Sequence, residues 1–557
     1  MTNPEQRTPT PIDAIAEEWV DTELELFPEY HVYLGRPGRA GEYADYSPEG
    51  ALRAAAAAAR TLVTLQAAEP MDDVDQITKM DLARELQLAI DKHEAGFEQR
   101  DLNVIASPAQ GLRDIFDLVP TASVEDWSNI AKRMHNLPAA MAGYIQTLRS
   151  GIAAGNVPAI RQVTEIVTQA KKQVAQTGFF FSLADGARAG EQELPEALNR
   201  DLAAGARESA QAYDDLARFL ADELAPHAPA KDAVGRELYA LASRDFLGAT
   251  IDLDETYDWG IEELSRMVAE QESVAREIKP GASVAEAVAF LDQDPTRKLH
   301  STAALQKWMQ ETSDAAITAL SKTHFDIPDE VKRLECMIAP TQEGGIYYTG
   351  PADDFSRPGR MWWSVPEGIT EFDTWRELTT VYHEGVPGHH LQIGMATYNK
   401  AILNTWRRTA GTSGHAEGWA LYAERLMEQL GYLNDPADRL GMLDGQRMRA
   451  ARVVLDIGVH LEKTLPDGTG PWTGEFAFDF LGKNVNMNAS FVRFEVNRYL
   501  GWPGQAPSYK VGQRIWEQLR DEYQAREGAA FDIKAFHKRA LDIGGVGLDT
   551  LRFALLG

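Results

Sequence analysis

The densest group of side chains able to do chemistry is Tyr382-His383-Glu384-Gly385-Val386-Pro387-Gly388-His389-His390, which holds three of the chain's 12 histidines beside a carboxylate. A histidine followed directly by glutamate opens the His-Glu-x-x-His pattern, in which two imidazoles one helical turn apart share zinc and the glutamate activates the attacking water. The spacing here departs from that pattern. Pro387 stands where the second histidine would fall. On an ideal helix His389 lies about 240° round from His383, and His390, on the same face, about 10.5 Å further along. Neither can share an ion held at about 2.0–2.1 Å unless the helix is interrupted. Pro387 cannot donate to the carbonyl of residue 383, and Gly388 can adopt the backbone angles of a bulge. A two-residue bulge is therefore expected, returning His389 or His390 to the metal.

The combination of His383-Glu384 with Pro387-Gly388-His389 and the downstream Glu417-Gly418-Trp419-Ala420 resembles the bacterial domain of unknown function 885 family. Further segments of the C-terminal half carry the likeness: Pro503-Gly504-Gln505-Ala506, Tyr509-Lys510-Val511-Gly512 and Phe536-His537. The resemblance implies a fold similar to Taq-type thermostable carboxypeptidases. It also implies a zinc ion held by two histidines and a glutamate, as in angiotensin-converting enzyme and thimet oligopeptidase. It selects His389 over His390 as the second histidine, and Glu417, 28 residues beyond His389, as the third ligand. Glu424, two turns along the same face, is the alternative carboxylate or a partner to a ligand. Related zinc peptidases also place a tyrosine or histidine from a distant helix on the developing oxyanion, which makes Tyr509 the first candidate here, with Lys510 beside it.

Other residues offer supporting roles. Arg452, Asp456 and His460, with Arg449, line one helical stripe in an apolar segment. This is the pattern of a salt-bridged seam; the functional alternative has His460 stabilising the transition state and Arg449 or Arg452 gripping a peptide's terminal carboxylate. Gly344-Gly345-Ile346-Tyr347-Tyr348 reads as an edge strand to which an extended peptide can add, with Tyr347 against the substrate. His415 reads as a structural histidine. The expected site is thus His383, His389 and Glu417 for the metal, Glu384, Tyr509 and His460 for catalysis, and Arg449, Arg452, Lys510 and Tyr347 for substrate.

These residues must be positioned by a largely helical chain of 557 residues, of which 44% are hydrophobic, enough to bury an extensive core. Helical periodicity runs from Ile12 to about Leu320 and resumes from Thr374 to Arg552. Between Lys332 and Pro366, the segments Leu334–Ile338, Gly345–Tyr348 and Met361–Val365 are β-prone. The fold class expected is mainly α: one peptidase-like domain over 1–557 with a deep cleft, divided into an N-terminal helical part (1–331), a small antiparallel sheet beside the zinc site (332–366) and a helical metal-site part (367–557).

Composition excludes several classes. A net charge of -29 repels a phosphate backbone, so no nucleic-acid partner is expected. There is no apolar run of the roughly 18–20 residues that span a bilayer. The opening residues lack the basic start and apolar stretch of a secretory signal, and the single cysteine, Cys336, excludes an internal disulfide. A cytoplasmic protein without membrane partners is expected, its oligomeric state open and a homodimer included. P-loop, dinucleotide and Gly-x-Ser-x-Gly motifs are absent. The expected activity is zinc-dependent cleavage of short or unfolded peptides, carboxypeptidase-like. The alternatives are a zinc amidohydrolase acting on a small non-peptide amide and a non-catalytic zinc or peptide binder.

Overall fold

A computed structural model describes residues 6–340 and 345–557. Helices start where the sequence supplies caps: Thr10 and Asp13 bond reciprocally ahead of Pro11–Leu26, and Ser123 and Asp126 do so ahead of Val124–Ala154. Their apolar faces collect in three cores. The smallest joins Ile12, Trp19, Leu62 and Leu86 to Trp406; the second draws on residues between Leu102 and Leu224; the largest extends from Tyr239 to Leu555. The break between the second and third falls between Leu224 and Tyr239. The reason is packing: the helix Leu253–Ile278 lies along Pro436–His460, close enough that a methyl group on Gly260 would meet Val453 at 2.8 Å. Polar contacts tie the smallest core to the C-terminal half, where Asn404 donates to Asp13 and the Gly547 amide to Asp81, each at 2.9 Å.

The expected sheet comprises Leu334–Ile338, Ile346–Thr349 and Gly359–Trp363, with the last in the middle. Ile346–Thr349 pairs antiparallel with the central strand, as expected, whereas Leu334–Ile338 pairs with it in parallel, so this sheet is mixed. Ile346–Thr349 is an edge strand packed against the helix Thr374–Glu384. Gly344, assigned to that edge from sequence, lies outside the described residues. Cys336 is buried in the sheet, and burial pushes its thiol up to about 11, as suits a core residue. Among the described residues no helix is long and apolar enough to cross a membrane.

Candidate metal centre

His383 and Glu384 are the last residues of the helix Thr374–Glu384. The chain there breaks completely instead of bulging, and a second helix, His389–Tyr398, begins directly with His389. In the turn the Gly385 amide donates to the Val381 carbonyl at 2.9 Å and the Gly388 amide to the Tyr382 carbonyl at 3.0 Å. Trp419 braces the turn from the neighbouring helix Ser413–Gln429, its indole donating to the Pro387 carbonyl at 2.8 Å. Gly388 is demanded by space: a Cβ there would lie 1.8 Å from the His383 carbonyl oxygen and 2.5 Å from that of Tyr382. Both neighbours are backbone and cannot rotate away. Gly388→Ala is therefore expected to destabilise the fold by about 1–3 kcal/mol and to misplace His389. Chemical denaturation together with zinc titration checks this, and unchanged values in both would refute it.

Glu417 arrives on Ser413–Gln429, which crosses the helix Ser508–Glu527 at close range. A Cβ on Gly418 would sit 2.5 Å from the Gly512 backbone, so glycine at both positions permits the approach. The Glu-Gly-Trp-Ala and Tyr-Lys-Val-Gly segments thus meet along one seam. The result brings His383, His389 and Glu417 together, with one ligand atom from each lying within 4.8 Å of the others. His383 Nε2 is 3.3 Å and His389 Nε2 3.7 Å from Glu417 Oε2. Two ligands at about 2.0–2.1 Å from a tetrahedral ion are separated by about 3.4 Å, so the set fits zinc. Glu417 Oε2 is buried and makes no hydrogen bond, an expensive state unless a cation accompanies it.

Electrostatics agree with that fit. Burial alone would raise the Glu417 carboxyl, but His383 and His389 overcome it and hold the group well below the usual carboxylate range. Burial likewise works against a charged His383, and Glu417 and Glu424 reverse it, raising the imidazole to about 10. Glu424 is not in the ligand set: its Oε1 lies 2.8 Å from His383 Nδ1, the nitrogen facing away from Glu417. Glu384 is 7% exposed and has no hydrogen bond or ion pair among the described residues.

His390 is accounted for elsewhere. Its Nε2–H donates to the Val331 carbonyl at 2.7 Å and its Nδ1 accepts from the Tyr348 hydroxyl at 2.9 Å. Burial pushes it down to about 4, so it stays neutral, with both nitrogens used. His415 is also a buried neutral histidine, lowered to about 4, with the Gln392 amide against its Nδ1 at 3.3 Å.

Of the surrounding candidates, Tyr509 stands in the first turn of the helix Ser508–Glu527. Burial, with Glu417 adding, pushes its phenol above the ordinary value, and the hydroxyl has no hydrogen-bond partner among the described residues. Two guanidiniums lie near its ring, Arg452 at 5.2 Å and Arg449 at 5.8 Å from the centroid. The two arginines then diverge. Arg452 is spent on Glu495 at 2.8 Å and the Tyr499 hydroxyl at 2.6 Å. Arg449, by contrast, has no hydrogen bond or ion pair among the described residues, and its Nε is buried without a partner.

Three expectations need correction. His460 is wholly buried: its Nε2–H donates to the Tyr499 carbonyl at 3.1 Å, Tyr239 packs on its ring, and burial lowers it to about 4. It is a core histidine in the seam, with no face toward a substrate. Lys510 is 1% exposed and pairs with Glu263 at 2.9 Å, so it cannot reach substrate. Tyr347 points away from the centre, because alternation along the strand puts Tyr348 on the side of His390 and Tyr347 on the other, stacked on Trp362. Gln446, Glu263 and Val331 were missed from sequence, since nothing local marks them. A cavity of about 1000 Å³ lies among the N-terminal helices and reaches Thr412, which caps the Glu417 helix, but none of the three ligands lines it.

A family model described as "Bacterial protein of unknown function (DUF885)" matches residues 28–555. No curated protein matches the chain significantly. Among solved structures, a Colwellia psychrerythraea protein provisionally named a lipoprotein has a TM-score of 0.84 at 21% identity, covering 98% of each chain. A Shewanella oneidensis protein, also provisionally named a lipoprotein and described as of unknown function, has a TM-score of 0.75 at 17% identity, covering 99% of this chain and all of its own. Both are likenesses of fold. A Pyrococcus furiosus carboxypeptidase reaches a TM-score of only 0.41 at 12% identity, covering 99% of this chain and 96% of its own, too distant to bear on function.

Proposed function

Since this chain belongs to the DUF885 family of bacterial proteins, whose activity its name leaves open, we propose from its own residues that it is a zinc-dependent peptidase, with His383, His389 and Glu417 as ligands and Glu384 as base. The observation carrying this reading is the unbonded, buried Glu417 Oε2 facing two imidazole nitrogens at 3.3 and 3.7 Å, with an unpartnered glutamate next in sequence to one of them. Zinc, when bound, supplies Lewis-acid polarisation of a carbonyl and a lowered pKa for water. The chain's own residues do the rest. Glu384 takes the proton of the attacking water and passes it to the leaving amine. Tyr509 donates its free hydroxyl to the oxygen that gains charge. Arg449, in no ion pair among the described residues, pairs with the C-terminal carboxylate of a peptide, which makes the action carboxypeptidase-like.

The test is digestion of a peptide library by zinc-loaded protein, repeated with C-terminally amidated copies. Cleavage is expected at free C-termini and lost on amidation. Equal cleavage of both would exclude the carboxypeptidase assignment, and cleavage confined to small non-peptide amides would turn the reading toward an amidohydrolase. Tyr509→Phe should lower kcat by about 10²–10³-fold, the value of one oxyanion donor. Arg449→Met should lower kcat/KM for free peptides by about 10- to 100-fold, from the roughly 1.5–3 kcal/mol of a charged hydrogen bond, and so narrow the difference between free and amidated peptides. A cytoplasmic location is proposed on the single cysteine; cell fractionation decides it against an envelope location.

A further inference from the structure

Behind His383 runs a line of buried polar side chains that no sequence motif announces. His383 Nδ1 meets Glu424 Oε1 at 2.8 Å; Glu424 Oε2 accepts from Gln446 Nε2 at 3.3 Å; Gln446 Oε1 accepts from Lys510 Nζ at 2.6 Å. Lys510 also donates to Gln513 at 3.0 Å and pairs with Glu263 at 2.9 Å, which Arg266 holds in a two-pronged contact. Glu424, Gln446 and Lys510 are 1%, 0% and 1% exposed. Glu263, His383, Glu424, Gln446 and Lys510 stand on five different helices, so the line fixes their relative placement as well as their protons.

The polarity of the line is set from its far end. An ammonium offers only donors, so the Gln446 atom facing Lys510 is its carbonyl oxygen and the amide nitrogen is left to donate toward Glu424. A carboxylate only accepts, so Glu424 takes the Gln446 proton on one oxygen and the Nδ1–H of His383 on the other. With a metal bound in place of the proton on Nε2, the Nδ1–H stays on Glu424 and His383 turns its Nε2 lone pair to the face where Glu417 and His389 lie. A reversed Gln446 amide would set two donors against each other at one end and two acceptors at the other, leaving buried groups unpaired.

We propose that Lys510 and Gln446 are positioning residues which, acting through Glu424, hold His383 in its metal-binding tautomer and orientation and so set the zinc affinity of the centre. The proposal rests on the metal-centre reading above. Zinc dissociation constants, measured by competition with a chromophoric chelator, test it on the parent, Lys510→Met, Glu424→Ala and the double variant, with thermal unfolding of each metal-free form as the check on folding. Lys510→Met should weaken zinc binding by about 10- to 100-fold, as outer-sphere changes do. In the Glu424→Ala background the same change should add less than about threefold, because the line is already cut. Binding by Lys510→Met within about threefold of the parent, or an equal loss in both backgrounds, would overturn the proposal. If Lys510→Met does not fold, Gln446→Leu enters the same cycle with the same thresholds. A folded parent that takes up no zinc would overturn the metal-centre reading itself, whereas a parent that binds zinc as tightly as its variants sinks only the positioning role.

Discussion

Purified protein should bind about one zinc per chain, and His383→Ala, His389→Ala or Glu417→Ala should each lose it at concentrations where the parent is saturated. With three protein ligands, removing one leaves two, a larger change than the roughly 10- to 100-fold cost of an outer-sphere substitution. The discriminating comparison is between adjacent histidines. His389 Nε2 faces Glu417, whereas both nitrogens of His390 are committed to Val331 and Tyr348. His390→Ala should therefore retain zinc and instead cost stability, about 1–3 kcal/mol for each group left unpaired. Elemental analysis after dialysis and a denaturation curve read the two effects separately. Zinc retained by His389→Ala and lost by His390→Ala would reverse the assignment.

Glu384→Gln should keep both fold and zinc and lose about 10²–10⁴-fold in hydrolysis of whatever substrate the parent cleaves, the usual cost of removing a positioned general base. The amide has nearly the same shape, and Glu384 makes no ion pair whose loss would disturb its surroundings, so the substitution isolates proton transfer. Steady-state rates beside metal content test it. A variant as active as the parent would exclude Glu384 as base, and a zinc-loaded parent inactive on every peptide and amide tried would favour a binding protein.

The helix break at the candidate centre was legible because Pro387 and Gly388 act locally, through a missing donor and a missing side chain. Its form was not: a bulge within one helix and a full stop followed by a new helix satisfy the same local rules. The full stop is braced by Trp419, whose indole reaches the Pro387 carbonyl from 32 residues on, a contact that no local rule announces. The sheet was legible from β-prone segments, while its parallel pair was not, because strand partners are chosen by the fold around them. Depth was the largest gap. In the stripe Arg449, Arg452, Asp456 and His460, the spacing could not distinguish the one unpaired guanidinium from its paired neighbour, since Glu495 and Tyr499 arrive from another helix. Lys510 shows the same limit: a lysine beside a candidate catalytic tyrosine reads as substrate-facing until Glu263 and Gln446, both far along the chain, are found around it.

Diffraction from zinc-soaked crystals, with anomalous scattering recorded at the zinc absorption edge, tests the metal-centre assignment most directly. A single strong peak is predicted between Nε2 of His383, Nε2 of His389 and the Glu417 carboxylate, at about 2.0–2.1 Å from each, with Glu424 remaining on Nδ1 of His383. A peak against His390 or elsewhere, or none among these three residues in zinc-replete crystals, would contradict it.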